Sequence, residues 1–171
     1  MKYAAPNLWC GVFRNCIHRN IYARQIARLS LRNHALGGDT AMIAYDLNVE
    51  QEWNPQRHVE KILDSVEDGD VTVACWEPGQ VSPNHCHPNA TEIYFCFEGG
   101  GVMRTPDQTI DVKPGAFIVH PPGELHEYEN GSQRSLLFRV RYGGDFSTRI
   151  KDWPSQPDYE RSDDDRAYYP D

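Results

Sequence analysis

The strongest constraint on this chain is a run of short β-prone segments between positions 71 and 142, each closed by turn-forming residues. Val71-Thr72-Val73-Ala74-Cys75-Trp76 is β-branched and apolar, and 92–97 is aromatic and β-prone. Segments 101–105, 109–112, 116–119, 126–129 and 135–142 continue the series. Between them stand Glu77-Pro78-Gly79, Gly99-Gly100-Gly101, Pro106-Asp107, Lys113-Pro114-Gly115, Pro121-Pro122-Gly123 and Asn130-Gly131. Glycine supplies positive φ and proline presets the first turn residue, so each cluster reverses the chain. Strands this short and this regularly spaced predict an all-β antiparallel sandwich or barrel. No long helix is expected in this stretch, and it contains no internal repeat.

The 171 residues suit one domain, with a core large enough to need no disulfide. Apolar residues make up 39%, charged residues 25%, and mean hydropathy is −0.67, which is polar but not disordered. No uncharged apolar run approaches the roughly 18–20 residues of a membrane span, so no membrane partner is expected. The net charge of −8 repels a phosphate backbone, which argues against nucleic acid as a partner. The five cysteines are Cys10, Cys16, Cys75, Cys86 and Cys96, an odd number with no C-x-x-C pair. With no secretory signal apparent, free thiols in a reducing cytoplasm are the simplest reading.

The charge is unevenly spread. Residues 1–41 hold Lys2, Arg14, Arg19, Arg24, Arg28 and Arg32 against Asp39 alone, a charge of +5, and the other 11 basic and 24 acidic residues give −13. Residues 17–32 fit a short helix, but their apolar spacing is irregular. The segment 1–41 therefore reads as an irregular or weakly helical basic extension. Three explanations stand: sequence upstream of a start at Met42, an organelle-targeting segment, or an extension that binds an acidic partner. The abrupt change at an available Met favours the first. A barrel is expected over 42–142, and an acidic aromatic tail over 143–171. In the tail Pro154, Pro157, Pro170 and the run Asp163-Asp164-Asp165 argue for irregular structure. Phe146, Trp153, Tyr159, Tyr168 and Tyr169 argue against free disorder, so the tail is expected to lie across its own barrel or a partner subunit.

Chemistry concentrates in residues 79–92. In an extended strand, His85 and His87 share one face and Cys86 points to the other. Pro88-Asn89 turns the chain, which lets Glu92 return toward the same point. His126 follows the Pro121-Pro122-Gly123 turn, where a barrel can place it opposite the other three. Imidazole and carboxylate together suit a divalent transition ion. Taken singly, an H-x-H is more often a surface pair and a Glu at a strand start is usually solvated. The joint pattern changes those odds.

That pattern resembles the two motifs of the cupin family. Gly79, five residues, His85-x-His87, four residues, Glu92, six residues and Gly99 match the first. Gly115, five residues, Pro121-x-Gly123, two residues, His126, three residues and Asn130 match the second. The fifteen residues between Gly99 and Gly115 resemble the short inter-motif loop of small single-domain microbial cupins. The resemblance implies a jelly-roll-like double-stranded β-helix barrel with one metal held by His85, His87, Glu92 and His126. Four protein ligands on a six-coordinate ion leave two positions for water, substrate or O₂. Fe(II) or Mn(II) is favoured, with Ni, Co, Cu or Zn as alternatives. Cys86 is not expected to ligate.

If Glu92 points inward, strand alternation brings Tyr94, Cys96 and Glu98 to the same face and sends Ile93, Phe95 and Phe97 outward. An outward aromatic row suggests packing on another sheet or on a second copy, hence a homodimer. Arg139 and Arg141 alternate with Leu136, Phe138, Val140 and Tyr142. The apolar set is expected to face in, which leaves the arginines on the surface, with a carboxylate clamp as the alternative. His120 and Glu124 flank the second turn, where a proton-transfer group at the pocket mouth would serve. Tyr94, Glu98, His120 and Glu124 are thus the candidate catalytic residues. Three functions are compatible: an oxygenase of a small enol, diketone or catechol-like substrate, which is favoured; a metal-dependent lyase or isomerase; and a non-catalytic binding cupin.

Overall fold

The computed structural model describes residues 42–170. The segment 17–32, with Cys10 and Cys16, lies outside the described residues. The chain divides into two units at the Val49/Glu50 boundary. In the described part of the first, Asp46 closes a turn: its carbonyl accepts from Val49 N–H at 2.8 Å and its Oδ1 from Asn48 N–H at 3.0 Å. The second unit, Glu50–Asp171, carries every described strand.

The strands are β1 Val59–Val66, β2 Gly69–Trp76, β3 Asn84–Cys86, β4 Ala90–Glu98, β5 Gly101–Arg104 and β6 Thr109–Val112. After them come β7 Phe117–His120, β8 Glu127–Asn130, β9 Ser135–Gly143, β10 Arg149–Asp152 and one helix, α1 Asp163–Tyr168. A five-stranded sheet has the order β1-β2-β9-β4-β7, a three-stranded sheet β6-β5-β8, and a two-stranded sheet β10-β3. All pairings are antiparallel. Isolated bridges Val81↔Glu129 and His85↔His126 tie the β3 segment to the β8 segment. The order places β9 between β2 and β4, so strands far apart in sequence form the floor of the barrel. Among the described residues, no helix is long and apolar enough to cross a membrane.

Side-chain alternation explains the core. Along β4, Ala90, Glu92, Tyr94 and Cys96 are buried while Phe95 and Phe97 are exposed. Trp76, Tyr94, Cys96, Met103, Tyr128 and Leu137 form one apolar cluster drawn from both large sheets. Asn130 is buried, with Nδ2 at 2.8–3.2 Å from the carbonyls of Trp76, Glu77 and Gln133 and Oδ1 accepting from Tyr128 Oη–H at 3.1 Å. This second-motif residue anchors the β8–β9 turn. Gly99 has φ +74°, and a Cβ there would lie 2.2 Å from Arg134 O, so both conformation and space require glycine.

Two expectations from alternation fail on β4 and β9. Register shifts between Cys96 and Glu98, and Glu98 is exposed at the strand end instead of joining Tyr94 and Cys96 inside. Opposite it, Leu136 and Leu137 are both buried. Beyond this bulge Leu137 and Arg139 face the interior, while Tyr142 is exposed. Arg139, expected on the surface, is only 3% exposed. Its charge is tolerated inside because carboxylates from three strands surround it, as described below.

The tail gains regular structure on its own barrel. β10 pairs with β3, matching Ile150 to His85 and Arg149 to Cys86. Ser162 caps α1, accepting from Asp165 N–H at 3.1 Å. The buried Asp165 carboxylate accepts from Ile150 N–H at 2.7 Å, Ser162 N–H at 3.0 Å, Ser162 Oγ–H at 2.7 Å and Tyr159 Oη–H at 3.1 Å. The acidic run that suggests irregular chain is thus partly a helix start, where carboxylates are favourable.

Candidate metal centre

His85 and His126 are held face to face by their own backbones. His85 N–H donates to His126 O at 3.0 Å, and His126 N–H donates to His85 O at 2.8 Å. The Gly123 N–H donates to His87 O at 2.9 Å, so the turn of the second motif also grips the first. Gly123 has φ +81°, which the tight Pro-Pro-Gly turn requires. β4 enters beside them with Glu92, which is 1% exposed.

Three imidazoles are oriented alike. Nδ1 of His85 lies 2.9 Å from Pro83 O, Nδ1 of His126 2.9 Å from Glu124 O, and Nδ1 of His87 3.3 Å from Ser147 O. A carbonyl only accepts, so each Nδ1 is the donor, and in a neutral ring Nε2 then carries the lone pair. Those Nε2 atoms turn toward Glu92: His126 at 3.0 Å from Oε2 and His87 at 3.4 Å from Oε1. Ligand atoms of His85, Glu92 and His126 all lie within 4.8 Å of one another. Burial, then the neighbouring His126, lowers the His85 pKa to about 3, which keeps that ring neutral. Burial alone would raise Glu92, but His126, His87 and the Arg139 charge outweigh it and hold the carboxyl well below its usual range. His87 Nε2 and Glu92 Oε1 are buried with no hydrogen-bond partner. His126 Nε2 is hydrogen-bonded to Glu92 Oε2, and a cation could take the place of that proton: imidazole nitrogens converging on an ionised carboxylate fit a divalent transition ion. Backbone carbonyls at Nδ1 are the outer partners that orient metal-binding imidazoles. Cys86 faces away, where its sulfur accepts from Tyr169 Oη–H at 3.1 Å.

The four remaining candidates separate. Tyr94 lines the cavity over this centre, and burial and Glu92 keep its phenol protonated well above the ordinary range. His120 lies behind the centre, its ring stacked on His126 at 4.0 Å and 9°, with Nδ1 2.7 Å from Glu124 Oε2. Neither His120 nor Glu124 lines the cavity; the pair packs against the His126 ring. Glu98 is outside the cavity altogether.

The cavity holds about 240 Å³ and is lined on one side by the three imidazoles. Its other side carries residues that motif reasoning passes over: His58, Glu60, Trp76, Arg139 and Arg141. Arg139 Nη1 is 2.7 Å from Glu60 Oε1 and 3.4 Å from Glu92 Oε1, and Nη2 is 3.7 Å from Asp70 Oδ1. Arg141 Nη2 donates to Asp70 Oδ2 at 2.8 Å. His58 stacks on Trp76 with ring centroids 4.0 Å apart. Thr148, Ile150 and Trp153 of the tail complete the wall. The sole sequence hint of this side is a charged residue at every second position of β9, Arg139 and Arg141, opposite the Asp70-Val71-Thr72 segment.

Two facing antiparallel sheets around a buried His/Glu centre define a double-stranded β-helix. Residues 72–140 match the family model of the cupin domain, and this part of the chain is a cupin domain. The solved structure of a conserved double-stranded β-helix protein from Klebsiella pneumoniae superposes with a TM-score of 0.59 at 17% identity, over 64% of this chain and 97% of that one. Among curated proteins, the quercetin 2,3-dioxygenase of Bacillus subtilis is 33% identical over 37% of this chain and 19% of its own length. A germin-like protein of Arabidopsis thaliana is 35% identical over 34% of this chain and 29% of its own. The chain therefore spans less than a third of either curated relative.

Proposed function

We propose that this cupin is a metal-dependent dioxygenase of a small enol, diketone or catechol-like compound, with the ion held by His85, His87, Glu92 and His126. The observation that carries this is the convergence of three carbonyl-oriented imidazoles, which line a cavity, on the buried ionised carboxylate of Glu92. When bound, Fe(II) or Mn(II) would supply Lewis acidity and open positions for substrate and dioxygen. The chain's own contribution is orientation and exclusion of water. Tyr94 keeps its proton and can donate a hydrogen bond to substrate oxygen. His120 and Glu124 brace the His126 ring from behind. A dioxygenase places both atoms of O₂ in product, so the substrate is the only reductant needed. The similarity to the Bacillus subtilis quercetin dioxygenase supports oxygen chemistry. The cavity is smaller than the roughly 300–1,000 Å³ common for drug-sized ligands, which favours a smaller substrate.

Anaerobic purification, metal analysis, and an O₂-electrode screen of small enols, diketones and hydroxy acids test the proposal. Substrate-dependent O₂ uptake is expected. Turnover with no O₂ consumed would replace this reading with a lyase or isomerase. Binding without turnover would leave a sensing module.

A further inference from the structure

Unpaired hydrogen-bond donors collect in the residues that line the cavity. Beside the imidazoles, His87 Nε2 is buried without a hydrogen-bond partner, while Glu92 Oε1 lies 3.4 Å from Arg139 Nη1. Trp76 Nε1, Arg139 Nε and Arg141 Nε are each buried without an acceptor. All three donor residues line the same cavity. Indole and guanidinium N–H groups can only donate, so no rotation or tautomer of these side chains relieves them. Trp76 and Arg139 are 2% and 3% exposed, which makes an unpaired donor costly there. The carboxylates of the network already engage the Nη atoms: Glu60 and Glu92 sit on Arg139 Nη1, and Asp70 on Nη2 of both arginines. What is missing is an acceptor supplied from the cavity.

We infer that the substrate is a small organic carboxylate whose anionic end is recognised by Trp76, Arg139 and Arg141, while a second oxygen function faces the imidazole side. This deepens the reading given under Proposed function and rests on that cavity being the site. Charge supports it. Arg139 and Arg141 stand against Glu60, Asp70 and Glu92, so the protein groups alone are negative by one. A divalent ion at the imidazole side makes the assembled pocket positive by one, which one carboxylate neutralises. Because Arg139 touches Glu92, the two ends are adjacent and the ligand they span is short. The stacked His58–Trp76 pair gives its carbon skeleton a flat apolar wall.

Trp76 and Trp153 line the cavity, so tryptophan emission reports occupancy. The probes are acetoacetate and its neutral isostere acetoacetamide, titrated anaerobically into the full chain loaded with Mn(II). Acetoacetate is expected to bind about ten-fold more tightly, the size of one charge-assisted hydrogen bond. Arg141→Gln should erase that preference. Glu60→Gln removes a carboxylate that competes for Arg139 and should widen it, an effect that loss of structure cannot imitate. Thermal melting of both variants checks that they fold. Equal affinity for the two probes overturns the inference. So does a preference left unchanged by both substitutions, since the metal alone would then account for it. Metal content is measured in parallel: a chain that binds no Mn(II) yet prefers acetoacetate upholds the carboxylate site and removes the metal-centre reading instead.

Discussion

The two sides of the cavity bury charge by opposite means. On the imidazole side, one carboxylate, Glu92, meets rings fixed by backbone carbonyls. On the arginine side, Glu60, Asp70, Arg139 and Arg141 neutralise one another through side chains alone, and donors are left over. The first is a backbone-held frame that, on the proposed reading, is completed by an outside cation. The second is a self-compensated network whose members hold each other in place. Removing a member should therefore have different consequences on each side: loss of a ligand on one, loss of the fold's stability on the other.

His126→Ala offers the largest expected effect. Loss of a direct ligand should lower metal affinity by at least the ~10–100-fold seen when an outer partner is lost. Elemental analysis of the anaerobically purified variant checks this, and full occupancy would erase the distinction between the two sides. Arg139→Met strikes the other side. It leaves Glu60, Asp70 and Glu92 without their shared cation and should cost about 3–5 kcal/mol in urea unfolding. A variant as stable as the parent would show that the network is not self-compensating. The tail walls both sides, so loosening it asks whether they respond together. Burial pushes the Asp165 carboxyl up, but bonds from Ser162, Ile150 and Tyr159 outweigh this and hold it below its usual value. Its contribution is therefore complete above the ordinary aspartate pKa of about 3.9 and is lost as pH falls through the depressed folded value. Protection of the Ile150 amide should persist at neutral pH and decline below about pH 4. The smallest effect on the cavity is expected from its outside. Phe95, Phe97, Phe117, Val119 and Tyr142 are exposed on the outer face of the five-stranded sheet. We expect this face to pair two copies, so Phe117→Glu should convert a dimer to a monomer in light scattering while metal content stays unchanged.

The imidazole side was legible in sequence because its geometry is local. Spacing within 79–99 and 115–130 places glycines, turns and ligands with little help from the rest of the chain. The arginine side was not, because it is assembled by pairing of β1, β2 and β9. Asp70 meets Arg141 only through that register. Hydrophobicity alone assigned the apolar set of β9 inward, yet the buried face carries the arginines, since three carboxylates on other strands compensate them. Glu98 ends outside for a related reason: period-two alternation cannot anticipate the register shift between Cys96 and Glu98. The aromatics of the tail did signal order, but the β10–β3 pairing depends on a partner strand remote in sequence.

The paired backbone hydrogen bonds between His85 and His126 have a consequence for how the molecule assembles. They join two motifs separated by several strands, so neither exists until a long loop has closed. An ion that needs both residues has no comparable site on the unfolded chain. On the proposed reading, each increment of free metal above its dissociation constant would deepen the native basin, and the melting temperature would become a titration curve for the centre.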